Sequence, residues 1–82
     1  MRIEITRRAK KDIDKLAAQT KKRCAEAVRV LEANPLRGEP LKGEFHGLRR
    51  YRVGDFRIIY EINNKNDLMT IHSVMHRREV YR

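Results

Sequence analysis

The chain has 82 residues, enough for one domain with a thin core, since a chain this short buries only about 60% of the surface its unfolded form exposes. Apolar residues are 40% and charged residues 38%, in periodic order and without a low-complexity tract, which excludes a disordered chain; no apolar run approaches the roughly 20 residues that span a bilayer, and the lone Cys24 excludes a disulfide framework or a multi-cysteine zinc site. Twenty Lys and Arg against eleven Asp and Glu give +9 at pH 7, a charge suited to nucleic acid, ribosome, an acidic protein or anionic lipid, with the cytoplasm as the default compartment.

Arg2-Ile3-Glu4-Ile5-Thr6 alternates with period two and reads as a short strand. Its charges do not suit a signal-peptide core. Thr6 can cap a helix that starts at Arg7 or Arg8 and carries the stripe Ala9, Ile13, Leu16, Ala17. Gln19-Thr20 breaks that pattern, and the spacing predicts a second helix capped by Thr20 with the stripe Cys24, Ala27, Val28, Leu31. Asn34-Pro35 ends it, because a residue before proline avoids helical geometry. Residues 36–47 hold Gly38, Pro40, Gly43 and Gly47 and read as a loop with one strand near Leu41. The period then returns to two. Strands are expected over 48–53, 56–62 and 68–75, joined by a tight turn at Gly54-Asp55 and by the polar cluster Asn63 to Asp67. Strands this closely joined form an antiparallel meander. The expected architecture is a single α+β domain over residues 1–82, in the order β-α-α-β-β-β. An αα-hairpin packs on one face of a small, mostly antiparallel sheet.

The pleat sorts the charge. Tyr51 and Val53 point one way with Phe56, Ile58, Tyr60 and Ile62, which suits the side facing the helices. Arg50 and Arg52 point the other way, and Arg57 on the paired strand can join them. Like charges gathered on a sheet repel one another, so the cluster makes sense where an anion fills the space between them; the alternative is a solvated basic face. The segment after the last strand adds His76, Arg77, Arg78 and Tyr81. Guanidinium groups match phosphate geometry and an aromatic ring can stack on a base. Metal chemistry finds little support: His72 and His76 share a face on strand spacing, but no thiol or carboxylate stands beside them. Cys24 on an apolar helix face reads as a core residue.

Three blocks together, Leu41-Lys42-Gly43, then residues 47–60 around Arg50-Tyr51-Arg52 and Phe56-Arg57-Ile58-Ile59-Tyr60, then residues 76–81, resemble the RelE branch of the RelE/ParE toxin superfamily. The resemblance implies a toxin of a type II toxin–antitoxin system that enters the ribosomal 30S A site, cleaves mRNA there without metal or other cofactor, and is neutralised by a small acidic or amphipathic antitoxin. It implies catalytic roles for Arg57, Arg77, Tyr81 and His76, and RNA binding by Arg50 and Arg52 with Arg49 and Arg78 beside them. The family often has lysines where Arg50 and Arg52 stand; arginine keeps the charge but does not readily give up a proton. On this reading Tyr81 is the base for the 2′-hydroxyl, Arg57 and Arg77 stabilise the phosphorane, and His76 is the proton donor. The alternatives are a ParE-like toxin of DNA gyrase and a non-catalytic basic module that binds RNA or the ribosome.

Overall fold

The periodicities of the sequence become, in the computed structural model, which describes residues 1–45 and 47–78, a layer of two helices on a sheet. Strand β1 (Arg2–Ile5) leads into α1 (Arg7–Asp14) and α2 (Ala18–Ala33). A 3₁₀ turn (Pro35–Arg37) then leads to the two-residue β2 (Glu39–Pro40), and a second (Gly43–Phe45) precedes β3 (Leu48–Val53), β4 (Phe56–Asn63) and β5 (Leu68–His76). Among the described residues the sheet order is β1-β5-β4-β3-β2. The helical hairpin carries the chain from one sheet edge to the other, and the strands then meander back. The meander is antiparallel throughout, while β1 lies parallel to β5.

Thr6 caps α1 as expected, its Oγ1 accepting from Ala9 N at 3.1 Å. The second helix starts earlier than the sequence indicated. Ala17 is its extended cap residue and offers no side-chain bond, while Thr20 lies inside the first turn. The reason is how α1 ends: Lys15 N and Leu16 N bond back to Asp12 O and Ile13 O, which closes the helix and leaves only Lys15 to Ala17 as the join.

Small side chains bring the helices close to the sheet. Ala9, Cys24, Ala27 and Leu31 meet Ile58, Tyr60, Met69, Ile71 and Val74 in one cluster, with Tyr51, Val53, Phe56 and Ile62 packed against it. Full burial of a side chain such as Leu31 or Ile58 contributes about 1.5–3 kcal/mol. Cys24 is the core residue its helix face implied, and burial pushes its thiol up from the ordinary value.

The last strand departs from simple alternation. Ile59 pairs with Ser73, but Tyr60 pairs with Ile71, so β5 carries one extra residue. This bulge turns His72 to the open face, where its Nε2 lies 2.9 Å from Glu61 Oε1. It leaves His76 opposite Phe56 on the helix side. The two histidines therefore stand on opposite faces, not on one. Beyond the end of β1, side chains of the α1 region take over the edge of β5. Thr6 Oγ1 donates to His72 O at 2.9 Å, and Asp12 Oδ2 accepts from Val74 N at 3.0 Å.

The loop before β3 is stapled to the sheet. Tyr60, fully buried, donates its hydroxyl hydrogen to Pro35 O at 2.7 Å and accepts from Gly38 N at 2.9 Å. A Cβ at Gly38 would collide with the Tyr60 ring and the Arg50 carbonyl, so only glycine fits there. No helix among the described residues is long and apolar enough to cross a membrane.

Candidate functional site

The face of the sheet away from the helices gathers Arg50, Arg52 and Arg57. Strand register places Arg52 directly opposite Arg57, and Arg50 opposite Ile59. The hairpin between them turns on Gly54 at φ +60, a conformation that suits glycine at the first position of a two-residue turn. Across the sheet, Arg57 faces Met75 of β5. Two guanidinium side chains directly opposite one another destabilise a ladder unless an anion lies between or beside them.

Arg57 is the unusual member. It is 7% exposed; among the described residues its Nη1 donates to the carbonyl of neighbouring Phe56 at 3.3 Å, and its Nε, like that of Arg49, is buried without a partner. A buried cation with an unused donor carries a desolvation cost that the fold does not recover by itself. Arg50 is held by Glu39 across the β2–β3 ladder, with Nη2 to Oε2 at 2.8 Å. The hydrogen bond from Arg50, then its charge, and more weakly the charge of Arg52, hold the Glu39 carboxyl below its ordinary value.

Arg77 follows β5 directly, and its backbone N donates to Asp55 O at 2.7 Å, which ties it to the β3–β4 turn. Arg78 is exposed beside it, its N donating to His76 Nδ1 at 3.3 Å. Tyr81 lies outside the described residues.

Two expected site residues stand elsewhere. Arg49 alternates with Arg50 and lies on the helix side, where its Nη2 donates to Leu36 O at 3.0 Å and Gly38 O at 2.7 Å. It is a clamp on the loop, separated from the cationic face by the sheet. The His76 ring meets the edge of Phe56, with centroids 5.3 Å apart at 85°, and lines a groove on the helix side. The β5 bulge is what puts it there. That groove, of about 540 Å³, is lined by the apolar Leu16, Phe56 and Val74 and by Arg8, Lys11 and Lys15, with Asp12 among them paired to Arg8 at 3.1 Å.

Sequence reasoning passed over Arg37 and Glu39. Both sit in the Gly- and Pro-rich loop segment, where no periodicity assigns a face, and only the β2–β3 register brings Glu39 to Arg50.

Comparison with known proteins agrees with this geometry. The family model for the ParE toxin of the type II toxin–antitoxin system parDE matches residues 3–81. Toxin RelE and Toxin RelG of Mycobacterium tuberculosis are each 33% identical to the chain over 82 residues, covering 98% of it and 84% and 94% of the relatives. The M. tuberculosis toxin–antitoxin complex RelBE2 superposes with a TM-score of 0.85 at 31% identity, over 92% of this chain and 95% of that one. The archaeal RelE–RelB complex of Pyrococcus horikoshii gives 0.80 at 28% identity, over 96% and 97%. The isolated Escherichia coli RelE toxin, 15% identical, shares the fold with a TM-score of 0.80, over 92% and 82%. From the helical hairpin on its mixed sheet to the arginines of the open face, the chain belongs to the RelE/ParE family of type II toxin–antitoxin toxins.

Proposed function

We propose that this toxin is a ribosome-dependent endoribonuclease that cleaves mRNA in the A site and so halts translation. The observation that carries the reading is Arg57, a nearly buried guanidinium opposite Arg52 with its Nε unpartnered. Such a group is preorganised for an oxyanion: the cost of burying the charge has been met during folding and is recovered when a phosphate arrives.

In the reaction, the 2′-hydroxyl oxygen attacks the adjacent phosphorus. The O2′–P bond forms and the P–O5′ bond breaks, leaving a 2′,3′-cyclic phosphate and a 5′-hydroxyl. Tyr81 takes the 2′-hydroxyl proton as phenolate. A free phenol has a pKa near 10, and a guanidinium charge close to a phenol favours its ionised form. Arg57 and Arg77 spread the extra charge of the phosphorane, and the departing O5′ takes its proton from a solvent water. Arg50, Arg52 and Arg78 hold the strand. His76, on the helix side beside Phe56, has no part in proton transfer on this reading. The ribosome supplies the aligned substrate, so the free protein is a poor nuclease. The partner is a cognate antitoxin. The groove lined by Arg8, Lys11 and Lys15 supports one with an acidic, amphipathic segment.

Induction of the toxin alone, with toeprinting on translating ribosomes, tests the function. mRNA cut within the A-site codon is the expected result, and Arg77→Ala and Tyr81→Phe should each lower cleavage by about 10²–10³. Equal cutting of naked RNA would overturn ribosome dependence. Intact mRNA together with inhibited DNA gyrase would assign the chain to the gyrase-directed branch instead.

A further inference from the structure

The β5 bulge leaves on the open face a Glu–His pair that the reaction above does not use. His72 is the extra residue, between the pairs Ile59↔Ser73 and Tyr60↔Ile71, and bulges re-aim side chains. Its Nε2 lies 2.9 Å from Glu61 Oε1, and because a carboxylate only accepts, Nε2 is the donor. We propose that Glu61, oriented by His72, is a base-reading subsite that accepts the exocyclic amine of an mRNA adenine, cytosine or guanine and disfavours uracil. The proposal rests on the reading above that the open face meets RNA.

The pair is accessible and held in place. The Glu61 side chain is 49% exposed and that of His72 36%. A carboxylate has about four lone-pair sites, of which His72 takes one, so acceptor capacity remains for a base. Glu61 is paired on both sides, with Leu48 of β3 and Thr70 of β5. Thr6 Oγ1 donates to His72 O at 2.9 Å and accepts from Ala9 N, which ties the bulge to the start of α1.

Charge decides which part of an RNA strand fits. The row across the sheet that runs Glu4, Thr70, Glu61, Leu48 carries two carboxylates and no cation. A phosphate is repelled there, whereas an amine-bearing base edge is attracted. Uracil presents carbonyls on both sides of its one N–H, and these face the carboxylate with like charge. Glu61 lies on the face of Arg57, four residues along β4, roughly 14 Å away at strand spacing. That span is within the few nucleotides that a single-strand surface accommodates.

The test measures binding of the full chain to uncleavable 2′-O-methyl oligouridylates in which one uridine at a time is replaced by cytidine or adenosine. One arm reads free strands by fluorescence anisotropy over a salt series. The other reads co-sedimentation on ribosomes programmed with the same strands, beside ribosomes without message. Replacement at the position that meets Glu61 should tighten binding about two- to tenfold, the scale of one hydrogen bond. Glu61→Ala should abolish that preference at an unchanged Tm and leave the slope of log K against log salt as it was, because no phosphate contact is removed. Glu61→Gln should discriminate less, since an amide also offers uracil a donor. His72→Phe should blunt the preference, and His72→Gln, which regains an N–H donor, should restore it. A preference unchanged in Glu61→Ala overturns the proposal. Equal tightening of every strand in that variant also overturns it, because the carboxylate then acts by charge alone. An effect confined to ribosomes without message overturns it in favour of a ribosomal contact. Full preference in His72→Phe overturns the orienting role. Wild-type binding without any preference overturns this proposal alone. Preference without A-site cleavage in toeprinting overturns the nuclease reading alone, and no binding in either arm overturns both.

Discussion

The two faces of one sheet obey opposite rules in this protein. On the helix side the apolar groups are matched, and Arg49 donates to two loop carbonyls although its Nε, too, is buried without a partner among the described residues. Ile58, Tyr60, Met69 and Ile71 are sealed by Ala9, Cys24, Ala27 and Leu31, and the hydroxyl of fully buried Tyr60 makes two hydrogen bonds. On the other side Arg52 faces Arg57, whose Nε is buried with no partner among the described residues. Both faces come from the same strands, residue by alternate residue, so backbone stability is shared while the energetic roles are divided. One face holds the protein together, and on the proposed reading the other holds in reserve an interaction that a phosphate completes. Stability given up on the open face is recovered on binding.

The sharpest way to break this comparison is Arg57→Met, which keeps the length of the side chain and removes its charge. Cleavage should fall by about 10²–10³. The fold should not weaken, because an apolar group of similar shape in place of an uncompensated buried charge is neutral or stabilising by about 1–2 kcal/mol. Toeprinting and a thermal melt on the same preparation check both halves. A clear drop in Tm would mean that the guanidinium is structural after all.

Leu31→Ala tests the opposite face. Leu31 is fully buried, and its truncation should cost about 2–5 kcal/mol in denaturant unfolding. Cleavage per folded molecule should be unchanged. Lost cleavage at full foldedness would couple the faces in a way that this division denies.

A smaller effect is expected from Tyr60→Phe, which strands Gly38 N and Pro35 O. The loss should be about 1–3 kcal/mol. Hydrogen exchange should then quicken around residues 35–40 before it quickens in β4. Uniform exchange would show that the staple does not act locally.

The smallest effect concerns Cys24. Burial raises the thiol above its ordinary value of 9.0, so the neutral form belongs to the folded state. Its contribution is complete below that value and is lost as pH rises past it, once the unfolded chain ionises first. Alkylation by iodoacetamide at pH 8 should be slow in the folded protein and fast in denaturant. Fast alkylation of the native protein would place the thiol at the surface.

Much of this was legible before any coordinates. The stripes at three and four named the helix faces, alternation at two sorted Arg50, Arg52 and Arg57 from Tyr51, Ile58 and Tyr60, and Thr6 was recognisable as a cap. These are local properties, set by backbone period and side-chain chemistry within a few residues, so a linear reading reaches them. The resemblance to the toxin family rested on the same local blocks. What needed the tertiary structure was everything fixed by a partner distant in sequence. The β5 bulge takes His76 away from His72 and from the arginines, because an extra residue shifts a whole face, and its trace in the sequence, an apolar step of three from Ile71 to Val74, is blurred by the neighbouring Met75. Arg49 and Arg50 are adjacent and chemically identical, yet the pleat sends one to clamp a loop and the other to meet Glu39. The burial of Arg57 depends on how the sheet and its neighbours close around it, and so does the role proposed for it. Desolvation is a property of surroundings that only the folded chain assembles.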